Sequence, residues 1–167
     1  MQDTIQGRIY KFGDNVNSDI IIAGRYLIYI DPMQLAEHAF EMLGEGFPAR
    51  LRSFDILVAG RNFGCGSARE QASTAIQGLG IKAVVAASFA RTFYRNAIND
   101  GLPIVECPAL YAAVNEGDQI SIDLASGVIS HAGTQYAFPR MPESVEKIIK
   151  LGGLANYLKS TLEAGSR

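Results

Sequence analysis

Two cysteines, Cys65 and Cys107, are the only thiols in 167 residues, and no CxxC pair occurs. That scarcity rules out a disulfide framework and leaves the chain short of the thiolates that hold an iron–sulfur cluster. Histidine is equally scarce, with two residues. His38 falls off the apolar face of a helical stretch and reads as solvated. His131 lies in a hairpin region and reads as structural or surface; neither has a metal-spaced partner. With 19% charged residues and a formal net charge of −2, there is no electrostatic footprint for nucleic acid or a membrane surface. No apolar run approaches the roughly 20 residues that cross a bilayer, and Met1 to Gln6 lacks the basic and apolar regions of a signal peptide. A cytoplasmic protein is expected. Internal repeats, linkers and low-complexity segments are absent as well.

What is present suits a single domain with a real core, at 48% hydrophobic residues. Ile5 to Phe12 alternates loosely as a first strand and meets the turn-forming Gly13-Asp14-Asn15. Asp31-Pro32 opens a helix over 33–43 with Leu35, Ala36, Ala39, Phe40 and Leu43 on its inner face. Apolar runs over 55–59, 81–87 and 102–106 read as buried strands. Helices over 67–78 and 88–97 follow the first two, the second capped by Ser88. Arg91 and Arg95 recur on one face of that second helix and read as solvated. Residues 118–124 and 128–130 form a hairpin, 136–138 add a strand, and short helices close the fold. The pattern predicts one α/β domain over 1–160, with a largely parallel core, an antiparallel addition and a frayed tail at 161–167.

Chemistry concentrates in Gly60-Arg61-Asn62-Phe63-Gly64-Cys65-Gly66-Ser67-Ala68-Arg69-Glu70, where a strand runs through a glycine turn into a helix. A phosphate-binding P-loop lacks its Gly-Lys-Ser/Thr, G-x-G-x-x-G fails at Arg69, and G-x-S-x-G fails because Gly66 directly precedes Ser67. A serine and an arginine remain at a helix N-terminus, a place suited to a carboxylate. Ser67-Ala68-Arg69-Glu70 equally matches a capping box, in which Ser67 only caps the helix. Spacing leaves both readings open.

Residues 62–72 resemble the N-F-G-C-G-S-S-R-E signature of the small, swivelling subunits of the aconitase-like hydro-lyases, the isopropylmalate dehydratase branch in particular. Residues 12–21 resemble the family's G-D-x-[IV]-[NS]-T-D-x-I, and the similarity runs to about Lys159. The resemblance implies a swivelling β/β/α domain and isomerisation of a hydroxy acid by dehydration and rehydration. It also implies a [4Fe-4S] cluster held by a separate large iron–sulfur subunit, so that this chain binds no metal and is inactive alone. By motif match, Ser67 is the base that takes the carbon-bound proton, and Arg69 holds a substrate carboxylate. Gly66 and Ala68 offer backbone N–H groups, and Asp19 lies near the site. Two positions depart from the pattern: Ala68 replaces a second serine, and Gln71 replaces a frequent histidine.

Substrate choice falls to the Tyr26-Leu27-Ile28-Tyr29 loop, where family members that take a tricarboxylate carry an arginine. Ile28, beside Tyr29, pairs no charge but packs against an isopropyl group, so 2- and 3-isopropylmalate in leucine biosynthesis are expected. The alternatives are a 2,3-dimethylmalate or homoaconitate type of dehydratase, and a non-catalytic carboxylate-binding module.

Overall fold

A computed structural model describes residues 4–165. Strands β1 (Thr4–Lys11), β2 (Ile56–Ala59), β3 (Ala83–Ala86) and β4 (Ile104–Glu106) lie parallel, and β5 (Gln119–Asp123), β6 (Val128–His131) and β7 (Thr134–Ala137) are antiparallel. They form one seven-stranded sheet in the order β4-β3-β2-β1-β5-β6-β7. This is the α/β plan expected, a parallel core with an antiparallel extension.

Short apolar runs become strands here because both of their faces are covered. Ile56 and Val58 of β2 point to one side and Leu57 and Ala59 to the other, and all four are fully buried. Such continuous hydrophobic strands belong to sheets with a layer on each face. On one face, Leu57, Val84, Ala86 and Ile104 pack against helices α1 (Ser18–Ile21), α2 (Pro32–His38), α4 (Gln71–Gly78) and α5 (Arg91–Asn99). A further short helix, α3 (Phe47–Leu51), leads into β2. On the other face, Ile9, Val58 and Val85 meet Leu110 of α6 (Pro108–Ala113), and Ile120, Ile122 and Ile129 of the antiparallel strands join the same cluster. The sheet therefore curls round its second core.

Several elements differ in extent from the sequence expectation. The helix expected over 33–43 stops at His38, because Ala39 turns extended and Phe40 takes a left-handed φ of 58°. Phe40 is fully buried with its ring 5.0 Å from that of Phe12, so tertiary packing overrides helical spacing. A 3-10 turn, Glu41–Leu43, follows. The helix expected from Ser88 begins at Arg91, and the Ser88 hydroxyl instead accepts the backbone N–H of Asn62 at 2.9 Å. At the other end, α7 (Glu143–Lys150) is followed by α8 (Leu154–Gly165), so the tail expected to fray from 161 continues a helix through Gly165. Residues 166 and 167 lie outside the described residues.

Candidate active site

The carboxyl ends of parallel strands are where backbone loops converge in α/β sheets, and here the loops after β1, β2 and β3 are sewn together. Val16 O accepts from Gly64 N at 2.8 Å, Cys65 O from Ser18 N at 2.7 Å, and Ser88 O from Phe63 N at 3.0 Å. Asp14 adds a fourth stitch, accepting from Arg61 N at 2.7 Å and from its guanidinium at 3.2 Å. Those donors, the backbone N–H first, hold the Asp14 carboxyl below the ordinary aspartate range.

The glycines serve this stitching. At Gly64, with φ 78°, an added Cβ would lie 2.3 Å from Phe93 Cγ; at Gly66, with φ 90°, it would lie 2.5 Å from Asn17 Oδ1. Both positions need the left-handed region and have no space for a side chain. The crowding comes from the protein itself, so these glycines shape the loop rather than clear a path for a ligand.

Helix α4 begins at Gln71, and Glu70, its N-cap, makes no side-chain cap bond. The capping box is therefore not formed, and Ser67 stands four residues ahead of the helix, exposed, in an open loop. Its carbonyl accepts the Ser18 hydroxyl at 2.6 Å, which fixes the backbone while leaving the Ser67 side chain outward. Among the described residues, nothing accepts from the backbone N–H of Gly66, Ser67 or Ala68. An exposed hydroxyl and three unpartnered N–H groups thus lie within one exposed stretch of three residues, a donor set suited to an oxyanion.

Arg69, the residue expected to hold a substrate carboxylate, is turned inward. Its side chain is 13% exposed; Nη1 donates to Ile22 O at 2.8 Å, and Nη2 lies 2.7 Å from Asp19 Oδ1. That ion pair is poorly aligned, since neither Asp19 Oδ1 nor Arg69 Nε finds a hydrogen-bond partner. The Asp19 side chain as a whole is half exposed, but Oδ1, the oxygen that faces Arg69, is buried. Asn17 caps α1 by accepting from Asp19 N at 2.8 Å, which holds Asp19 toward the arginine. The expected neighbours Ser67, Arg69 and Asp19 are in this way brought together.

The 3-10 turn Gly24–Tyr26 and residues 27–30 border the same corner. Gln71 Nε2 donates to Leu27 O at 3.1 Å, tying the loop to the start of α4. Ile28 turns outward at 79% exposure, and Tyr29 is half-buried.

A family model, the aconitase C-terminal domain, matches residues 34–109. The 3-isopropylmalate dehydratase small subunit of Thermodesulfovibrio yellowstonii is 48% identical over 160 residues, 95% of each chain. The chain belongs to the 3-isopropylmalate dehydratase small-subunit family. A crystal structure of 3-isopropylmalate dehydratase from Methanocaldococcus jannaschii, 44% identical, superposes with a TM-score of 0.89 over 98% of each chain. The 2,3-dimethylmalate dehydratase small subunit of Eubacterium barkeri is 44% identical over 158 residues, 93% of this chain and 97% of that one.

Within this small-subunit family fold, the donor set for a metal is poor. Cys107 is buried in the second core with Sγ 3.9 Å from Ala137 O, whereas Cys65 sits in the β2–α4 loop. Among the described residues, no three His, Cys, Asp or Glu side chains converge on a metal position. None of the described helices is long and apolar enough to cross a membrane.

Two groups that sequence reading passed over support the site. His38, expected to be solvated, is half-buried against the ring of Tyr26; its spacing of three from Glu41 was the available signal. Asp100 reaches from the end of α5 to accept from the hydroxyls of Ser73 and Thr74 on α4. Burial pushes its carboxyl above the ordinary range, and the two hydroxyls offset only part of that. A raised folded-state pKa means that the stability Asp100 contributes is complete at acid pH and is lost as pH rises through that value. Asp100→Asn is therefore expected to raise Tm relative to wild type at pH 7, with the gap closing toward pH 4, in paired thermal melts.

Proposed function

We propose that this chain is the small subunit of a heteromeric hydro-lyase interconverting 2- and 3-isopropylmalate by dehydration and rehydration, as in leucine biosynthesis. The observation that carries the reading is Ser67, uncapped and exposed beside free backbone N–H groups and Arg69, in a chain that aligns end to end with dehydratase small subunits. A large subunit supplies the rest. Its [4Fe-4S] cluster would act as the Lewis acid toward the leaving hydroxyl.

The role of this chain is the proton and the carboxylate. Ser67, as its alkoxide, takes the proton from one substrate carbon as hydroxide leaves the neighbouring one, and in the hydration direction gives a proton to that neighbouring carbon while hydroxide adds to the first. A serine alkoxide is costly in water. The N–H groups of Gly66 to Ala68 and the nearby guanidinium lower that cost once docking excludes solvent. Arg69 presents Nε and Nη2 to a substrate carboxylate, which takes the place of the poorly aligned Asp19. Because Ala68 has no hydroxyl, the second point of contact falls on backbone.

Docking has a candidate face. Ile28, Ile30, Met33, Met42 and Leu43 are all between 45% and 88% exposed and cluster in one short span of sequence at this corner. Exposed apolar groups gathered in this way mark contact surfaces, and the large subunit is the partner that the reading requires.

Ile28 favours a branched alkyl group over a third carboxylate. Burying isopropyl contributes about 1.5 to 3 kcal/mol, whereas an unpaired carboxylate costs about 1 to 3 kcal/mol or more. The Eubacterium barkeri relative keeps 2,3-dimethylmalate, one carbon smaller, as the second reading. Assay of the reconstituted pair on isopropylmalate, 2,3-dimethylmalate and homoaconitate separates them. Isopropylmalate should lead 2,3-dimethylmalate by about tenfold or more in kcat/KM, the usual effect of one carbon in a fitted pocket. Reversed preference would move the assignment to the smaller substrate.

A further inference from the structure

The loop that carries substrate preference has little regular structure of its own beyond the three residues Gly24–Tyr26. It is held from the side by a post built on α2. The Tyr26 ring lies 3.8 Å from the His38 imidazole, centroid to centroid, at an interplanar angle of 6°. Tyr29 lies 6.1 Å from the same imidazole at 12°, so both tyrosines of the loop align on one histidine. Glu41 completes the post. One of its oxygens accepts from the Tyr26 hydroxyl at 2.7 Å and from the Arg25 guanidinium, and the other lies 3.0 Å from His38 Nδ1. The carboxylate partner places the imidazole proton on Nδ1.

The post is stiff because its base is buried. Leu35 and Ala36, one turn before His38, and Phe40, between His38 and Glu41, are at most 1% exposed. The loop is only partly anchored elsewhere: Tyr26, Leu27 and Tyr29 are half-buried against the first core and Leu27 O takes the Gln71 bond, while Ile28 and Ile30 stand exposed.

We propose that His38 and Glu41 are positioning residues for substrate selection, bracing the Tyr26–Tyr29 loop so that Ile28 is presented in one place. This rests on the functional reading above. Without the brace, the loop must be ordered at the moment of binding, and that entropy is charged to substrate affinity. Substrate and transition state need the same ordered loop, so the loss is uniform and appears in KM rather than kcat.

The test pairs His38→Ala with His38→Phe, which keeps a ring against Tyr26, and reads two quantities. Amide hydrogen exchange over residues 23–30 of the free subunit should quicken by about tenfold in His38→Ala, return toward wild type in His38→Phe, and stay unchanged in β2. In the assembled complex, KM for isopropylmalate should rise by about tenfold in His38→Ala with kcat within about twofold. Should the alanine variant not fold, Glu41→Gln, which keeps the shape but loses the charge, gives the same comparison. Unchanged exchange over 23–30 in a folded variant overturns the brace. Normal KM, or an equal fall in kcat and kcat/KM, overturns its part in selection. If the wild-type pair fails on isopropylmalate, the functional reading falls, while exchange in the free subunit still decides the brace.

Discussion

Ser67→Ala is expected to lower turnover of the assembled complex by roughly 10²- to 10⁴-fold, the contribution of a positioned proton-transfer group. Stability should change by less than about 0.5 kcal/mol, as for surface substitutions without a structural role. The two halves of this expectation have one cause. Ser67 is exposed, and α4 starts at Gln71 with Glu70 as its cap, so no folding contact is lost with the hydroxyl. Had Ser67 capped the helix, the same change would cost about 1 kcal/mol of stability and spare turnover. Thermal melts, co-elution with the large subunit and anaerobic kinetics on one preparation separate the two outcomes. Near-normal turnover in a folded, assembled variant would remove Ser67 from the chemistry.

Arg69→Ala should be nearly as damaging, for a mixed reason. Truncating one partner of a desolvated charge pair costs about 2 to 5 kcal/mol, which is roughly 30- to 5000-fold in kcat/KM. The same change also releases Ile22 O and leaves Asp19 without its counter-ion. Arg69→Lys divides the two contributions. Lysine keeps the charge beside Asp19 but lacks the planar fork, so assembly and stability should approach wild type while kcat/KM remains depressed. Full recovery by lysine would mean that charge alone suffices and that a two-point grip on a carboxylate is not used.

How much of this was legible beforehand depended on how far each feature is set by neighbours in sequence. The buried strands at 56–59 and 83–86 were plain, because an all-apolar run bounded by turn residues has few other uses in a small domain. The hairpin of β5 and β6 was plain for the same local reason, with Ala125-Ser126-Gly127 as its turn. Helix boundaries were less so. Phe40 sits at helical spacing yet breaks the helix, because Phe12, far back in the chain, takes its ring into the core. Ser67 illustrates the limit at the site: a cap and an active-site serine share one pattern, and the start of α4 at Gln71 removes only the cap. The inward set of Arg69 was hidden too, since it depends on Ile22 O and Asp19, brought alongside by the stitching of the β1 and β2 loops.

The separation of labour between two chains is the central claim, and reconstitution tests it most directly. The purified chain is mixed anaerobically with an iron–sulfur large subunit of a 3-isopropylmalate dehydratase, and conversion of isopropylmalate is followed for each component and for the pair. The account predicts no conversion by this chain alone, stable co-elution, and activity in the pair that Ser67→Ala lowers by roughly 10²- to 10⁴-fold. Conversion by this chain without the large subunit, or a co-eluting pair that leaves isopropylmalate untouched, would contradict it.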